Sequence, residues 1–232
     1  SLPMAEQPHL PLFEEWSPQM GMADCVDSDW TPPRQTACGK LPIHPGAMGI
    51  QFGQRVFEGC RACWNGADPA RLFSIDDHYS RLVTSCERLR MPVPPEQLFV
   101  EVLVNQLQDA TNWSSPFPSE TLYIRPVVFG QDDHVMPIPS ARTTFVVLTA
   151  PLRLFPGEPL VLLAEREFSR AAKGGLGHAK TSANYAHQYL PTWRAKEAGC
   201  DAVLWLDAET HERIEEASTM NIFMTDSPMV LQ

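Results

Sequence analysis

The residues with most to offer chemically lie in GGLGHAKTSANYA, residues 174–186. There Lys180, one of four lysines in 232 residues, follows three glycines and precedes Thr181, Ser182 and Ala183. Glycine lets a backbone approach other groups closely, and the small residues leave room beside the ammonium group. A lysine so placed can be an amine nucleophile that condenses with a carbonyl; the alternative is a solvated surface charge. Glu216 offers a second function. It follows Glu215 in RIEEASTMNIFM, and on a strand adjacent carboxylates face opposite sides. The inward one needs a partner to offset its desolvation, either a protonated heterocyclic nitrogen or an arginine. Arg81 departs from the apolar stripe of its helix, so it either reaches an anion with its rigid fork of donors or remains a surface charge. Arg125, in YIRP, interrupts an apolar strand; it pairs with an internal acid or lines a pocket that accepts a carboxylate.

The elements that must position these groups follow from periodicity. SIDDHYSRLVTSCERLRM reads as a helix with an S-x-x-D cap from Ser74 and Asp77, and with Leu82, Val83, Cys86 and Leu89 on one face. A second helix starts after Pro94 and Pro95, with Phe99, Val102, Leu103, Leu107 and Ala110 at helical spacing. TLYIRPVVF (121–129), RTTFVVLTA (142–150) and PLVLLAE (159–165) are short, apolar and β-branched, as strands are. A third helix is expected from Lys180 to about Ala198, kinked at Pro191 and closed by Gly199. DAVLWLD, RIEEA and MNIFMTD read as strands, the first two joined by the turn AETHE. The first forty residues, rich in Pro, Asp and Ser, read as an irregular surface arm that can include a short strand. Helices and strands come in separate groups, which argues for an α+β fold. APLRLFPGEP is the best interdomain link, dividing the chain into an N-terminal small α+β domain (1–153), a loop (154–158) and a C-terminal domain (159–232).

A net charge of −10 argues against nucleic acid and anionic membranes as partners, since both need a basic footprint. Isolated arginines suit small anions. Six cysteines lack a disulfide-framework spacing, and the Cys60–Cys63 pair has no second pair or histidine cluster to complete a metal site. They read as buried reduced thiols of a cytoplasmic protein, with a redox pair as the alternative. No export signal and no long apolar run is present in these residues.

Taken in order, HPGAMGIQFGQRVFEG, FSIDDHYSRL, YIRP, RAAKGGLGHAKTSANY, AVLWLD and IEEASTMNIF resemble the class IV aminotransferases, and within them the branched-chain amino acid aminotransferases, from about residue 40 onward. The resemblance implies a two-domain, fold-type IV enzyme dependent on pyridoxal 5'-phosphate. It makes Lys180 the catalytic, Schiff-base lysine, and gives cofactor binding to Arg81 (phosphate), Tyr185 (phenolate oxygen), Glu216 (pyridine nitrogen) and Thr219. Phe52, Phe57, Tyr123 and Phe155 would line the side-chain pocket, and Arg125 would recognise the distal carboxylate of glutamate or 2-oxoglutarate. Amino acid and 2-oxo acid are the implied partners, in a homodimer without metal. The glycines near Lys180 would make room for the cofactor ring. The family continues past TDSPMVLQ through an L-P-G-x-T-R segment, so the C-terminal domain is expected to be incomplete here. Phe52 and Phe155 stand where many members carry tyrosine, and Thr181–Ser182–Ala183 replaces residues that usually include glycine. The nearest other readings are a D-amino acid aminotransferase, an aminodeoxychorismate lyase-like enzyme, or a non-catalytic binding module.

Overall fold

Short β-branched runs and two amphipathic stretches become strands and helices largely where the periodicity places them. The computed structural model describes residues 16–63, 71–111, 121–152 and 159–225, with the backbone alone at 109–111. In chain order these form β1 (Gln19–Val26), β2 (Asp29–Trp30), β3 (Arg34–Ala37), α1 (Met48–Gln51), β4 (Arg55–Phe57), β5 (Cys60–Cys63), β6 (Arg71–Leu72), α2 (Ile75–Arg88) and α3 (Glu96–Thr111). Then come β7 (Thr121–Gly130), β8 (Arg142–Pro151), β9 (Leu162–Ala164), α4 (Ala183–Ala186), α5 (Tyr189–Glu197), β10 (Ala202–Leu206) and β11 (Ile214–Ala217). Two compact units result: Ser1–Pro156 with His178–Ser182, and Gly157–Gly177 with Ala183–Gln232. The expected interdomain loop, 154–158, lies outside the described residues.

The first unit is an antiparallel sheet in the order β2-β1-β8-β7-β5-β6, with β3 also on β1 and β4 also on β7. One face carries the core. Val56, Cys60, Leu122, Ile124, Val128, Phe145 and Val147 pack against Leu82 and Cys86 of α2 and Phe99, Val102, Leu103 and Leu107 of α3. Tyr79, Phe99 and Phe145 run through this core with ring centroids 5.2 and 5.9 Å apart. Strand alternation sends Phe57, Tyr123 and Arg125 to the opposite face. The second unit holds a three-stranded sheet, β11-β10-β9, with β9 parallel and β11 antiparallel to β10. Its core is Val203 and Trp205 of β10 against Ala195 of α5 and Phe168. Asp207 fixes the AETHE turn by accepting hydrogen bonds from the backbone N–H of Arg213, Thr210 and Glu212 at 2.7, 2.7 and 2.9 Å. Those donors, Arg213 first, hold its carboxyl well below the usual range and return the chain to β11, which bears Glu216.

Four expectations are corrected. The described part of the N-terminal arm is no irregular surface segment: β1 lies between β8 and the β2 and β3 strands, with Met20, Met22, Ala23 and Cys25 buried. Buried on both sides, it does not need the polar–apolar alternation by which a strand is recognised. Ser74 does precede α2, but in the left-handed region (φ 47°) and without a side-chain cap bond, so the S-x-x-D spacing is not a capping box. The expected third helix is two, α4 and α5, because Pro191 falls in the first turn of α5, where a missing N–H costs no helical bond. Finally, residues 221–225 of MNIFMTD form no strand; among the described residues after β11, only Met220 makes a bridge, to Ala217. No helix among the described residues is long and apolar enough to cross a membrane.

Candidate active site

Residues 178–182, Lys180 among them, belong to the first unit, although the chain before and after them belongs to the second. Residues 180–182 run against β4. The Phe57 N–H donates to the Lys180 carbonyl at 3.0 Å, Thr181 bridges Val56, and the Thr181 hydroxyl and Ser182 N–H both donate to the Arg55 carbonyl, at 2.8 and 3.2 Å. On its other side the Lys180 N–H donates to Ser85 Oγ at 2.9 Å, and that hydroxyl donates to the Arg81 carbonyl at 2.8 Å. Ser85 is fully buried, so α2 and β4 hold the lysine main chain from two directions. The side chain is half-buried, with Nζ 5.2 Å from the centre of the Phe57 ring.

The same ring receives a second cation. Arg125 Cζ lies 4.7 Å from the Phe57 centroid and 5.1 Å from that of Tyr123, and its Nε and Nη2 donate to the Tyr123 hydroxyl at 2.9 and 2.6 Å. An arginine stacked on aromatic faces and hydrogen-bonded to a phenol keeps a fixed orientation. Gly59 makes the arrangement sterically possible, since a Cβ there would come within 2.6 Å of the Tyr123 hydroxyl. Lys180, Phe57, Tyr123 and Arg125 therefore form one aromatic and cationic group on the sheet face opposite the core. Phe52, at the C-terminal end of α1, is 44% exposed.

Arg81 is anchored by a residue the sequence reading did not single out. Its Nε and Nη2 each donate to Glu58 at 2.6 Å, one to each carboxylate oxygen, and His78 Nδ1 lies 2.8 Å from Oε2. Glu58 is wholly buried. Burial pushes its carboxyl up, but the hydrogen bonds from Arg81 and His78, with their charges, outweigh that and hold it below the ordinary value. The available signal was spacing: His78 and Arg81 are three apart, hence neighbours on one helix face, and both can donate to one acid.

The second unit carries the remaining positions. Glu215 is exposed and Glu216 turns inward, where it pairs with Arg170. Tyr185 is half-buried on α4, and Thr219 is exposed in the turn after β11. Phe155 lies outside the described residues. The glycines before Lys180 have a local reason in the loop itself: Gly174 takes φ 78°, and a Cβ on Gly177 would come within 2.7 Å of the Ala171 Cβ. Cys60 and Cys63, three apart on β5, point to opposite faces. Burial, reinforced by the Glu58 charge, pushes the Cys60 thiol up to about 12.

The family model for amino-transferase class IV matches residues 55–230. Branched-chain-amino-acid transaminase 1 of Bacillus subtilis is 35% identical over 198 residues, covering 84% of this chain and 56% of that protein. The branched-chain-amino-acid aminotransferase of Mycolicibacterium smegmatis is 33% identical over 203 residues, covering 85% and 55%. The chain thus spans about half the length of the curated relatives it matches. Among solved structures, the branched-chain amino acid aminotransferase from Escherichia coli superposes with a TM-score of 0.64 at 22% identity, covering 79% of this chain and 58% of that one. The enzyme of the same name from Thermobaculum terrenum, in its PLP form, gives 0.66 at 20%, covering 88% and 62%. At these identities the structural likeness establishes the fold.

Proposed function

Because the chain belongs to the class IV aminotransferase family, we propose that the protein transfers the amino group of a branched-chain or other hydrophobic L-amino acid to 2-oxoglutarate, with pyridoxal 5'-phosphate carried on Lys180. The observation that carries the reading is the continuous set of contacts in the first unit. The Lys180 main chain is tied to Phe57 on one side and, through Ser85, to the Arg81 turn of α2 on the other. An amine for an aldehyde and an anchored guanidinium for an anion thus share one rigid frame, and that donor chemistry fits an aldehyde bearing a phosphate. Tyr185, Glu216 and Thr219 would complete the holding set, Tyr185 at the phenolate oxygen and Glu216 at the ring nitrogen.

When bound, the pyridoxal group supplies a reactive carbonyl carbon and an electron sink. The residues do the rest. With the amino donor in its place, Lys180 Nζ would be the amine that takes the proton from the substrate Cα and returns it to the former aldehyde carbon, on the other side of the amino nitrogen. Glu216, which pairs with Arg170 through Oε2, would keep the ring nitrogen protonated through its other oxygen. Phe57 and Tyr123 offer apolar contact to an aliphatic side chain, while Arg125, held by the Tyr123 hydroxyl, offers a fork to a distal carboxylate. One pocket then takes both leucine-like and dicarboxylic partners.

A panel of amino donors tests this in the intact protein. L-leucine, L-isoleucine and L-valine should be preferred with 2-oxoglutarate as acceptor. Arg125→Leu should raise KM for 2-oxoglutarate by about ten-fold or more, the loss of a charged hydrogen bond, with a smaller effect on leucine. Preference for D-alanine, or an unchanged KM for 2-oxoglutarate, would contradict the reading.

A further inference from the structure

The Glu58 carboxylate is held through both of its oxygens. It accepts from Arg81 Nε and Nη2 at 2.6 Å each, faces His78 Nδ1 at 2.8 Å, and takes the Gly59 N–H at 3.3 Å. One of these contacts falls on Oε1 and three on Oε2. Its own main chain is fixed as well, by the Glu58 N–H donating to the Pro126 carbonyl at 2.8 Å. The acid is wholly buried while the Arg81 side chain is 48% exposed. A guanidinium has five N–H donors in a rigid plane, and Glu58 engages two of them along one edge. Gripping one edge of a plane sets the direction of the opposite edge.

We infer that Glu58 is a positioning residue: with His78 it fixes the plane of Arg81 so that the outer edge of the guanidinium meets the phosphate monoester of the aldehyde carried on Lys180. This deepens the function proposed above and rests on it. The connection between the two sites is local, since Glu58 directly follows Phe57, whose N–H holds the Lys180 carbonyl and whose ring lies under Nζ. A preset guanidinium favours a phosphate because binding then costs no side-chain ordering.

The test compares two aldehydes, pyridoxal 5'-phosphate and pyridoxal, bound by the intact apoprotein and followed through the near-visible absorbance of the lysine-linked group. Wild type should bind the phosphorylated aldehyde far more tightly. Glu58→Gln should lower that preference by about ten-fold or more, the scale of one charge-assisted hydrogen bond, through weaker binding of the phosphorylated form alone. If Glu58→Gln does not fold, His78→Asn removes one contact from the same carboxylate and should lower the preference by about three-fold. A folded variant with an unchanged preference overturns the inference, as does a wild type that binds both aldehydes equally. That second result leaves the Lys180 reading standing. Absence of any Lys180-dependent band in wild type removes the cofactor reading, and this inference with it.

Discussion

Replacing Lys180 by alanine is expected to slow amino transfer by about 1,000-fold or more, because one side chain serves as both attachment point and proton carrier. The fold should be indifferent to the change. The contacts that place residues 180–182 use the Lys180 N–H and carbonyl together with the Thr181 and Ser182 side chain and backbone, all of which alanine at 180 preserves. The ammonium itself contributes a cation–π contact to Phe57, worth about 0.5–1 kcal/mol at a half-exposed position. Single-turnover kinetics alongside thermal unfolding separate the two effects. A variant with the wild-type melting temperature and a rate within about ten-fold of wild type would leave Lys180 without its assigned role.

Arg81→Met should destabilise the folded protein by about 3 kcal/mol, the lower end of the cost of stripping the partner from a buried ion. Glu58→Gln, which leaves a half-exposed guanidinium that water can solvate, should cost about 1 kcal/mol. The double variant should recover part of the Arg81→Met loss. The pH dependence carries the sign. In the wild type the Glu58 carboxyl titrates below its unfolded value, so its contribution is fully present above that unfolded value and is lost as pH falls through the folded one. In Arg81→Met, burial dominates and raises the folded value instead. The variant's deficit should therefore shrink between about pH 7 and about pH 5, as the stranded acid takes up a proton. Denaturant unfolding at the two pH values reads this directly. A deficit that does not change with pH would mean that Glu58 is not the stranded charge.

The long strands were legible because β7 and β8 are dense in valine, threonine and aromatic residues, and α3 because its apolar residues recur at helical spacing. β1 was not, since QMGMADCV has few strand-forming residues and its place comes from pairing with β8 and packing beneath α3. Pro191 was visible, but its position within the helix was not, because helix bounds depend on where α5 begins. The chemistry-bearing lysine stood out through its glycine-rich approach, although Gly174 and Gly177 turn out to be shaped by the loop itself. Glu58 was hidden for a plainer reason. An acid before the glycine of VFEG reads as surface, and its partners lie 20 and 23 positions away, a separation that only tertiary packing closes.

The most direct measurement is covalent. Incubating the intact protein with pyridoxal 5'-phosphate, reducing with borohydride and mapping the peptides should place the phosphopyridoxyl mass on Lys180. A label on Lys40, Lys173 or Lys196 in its stead, or no label at all, would contradict the account.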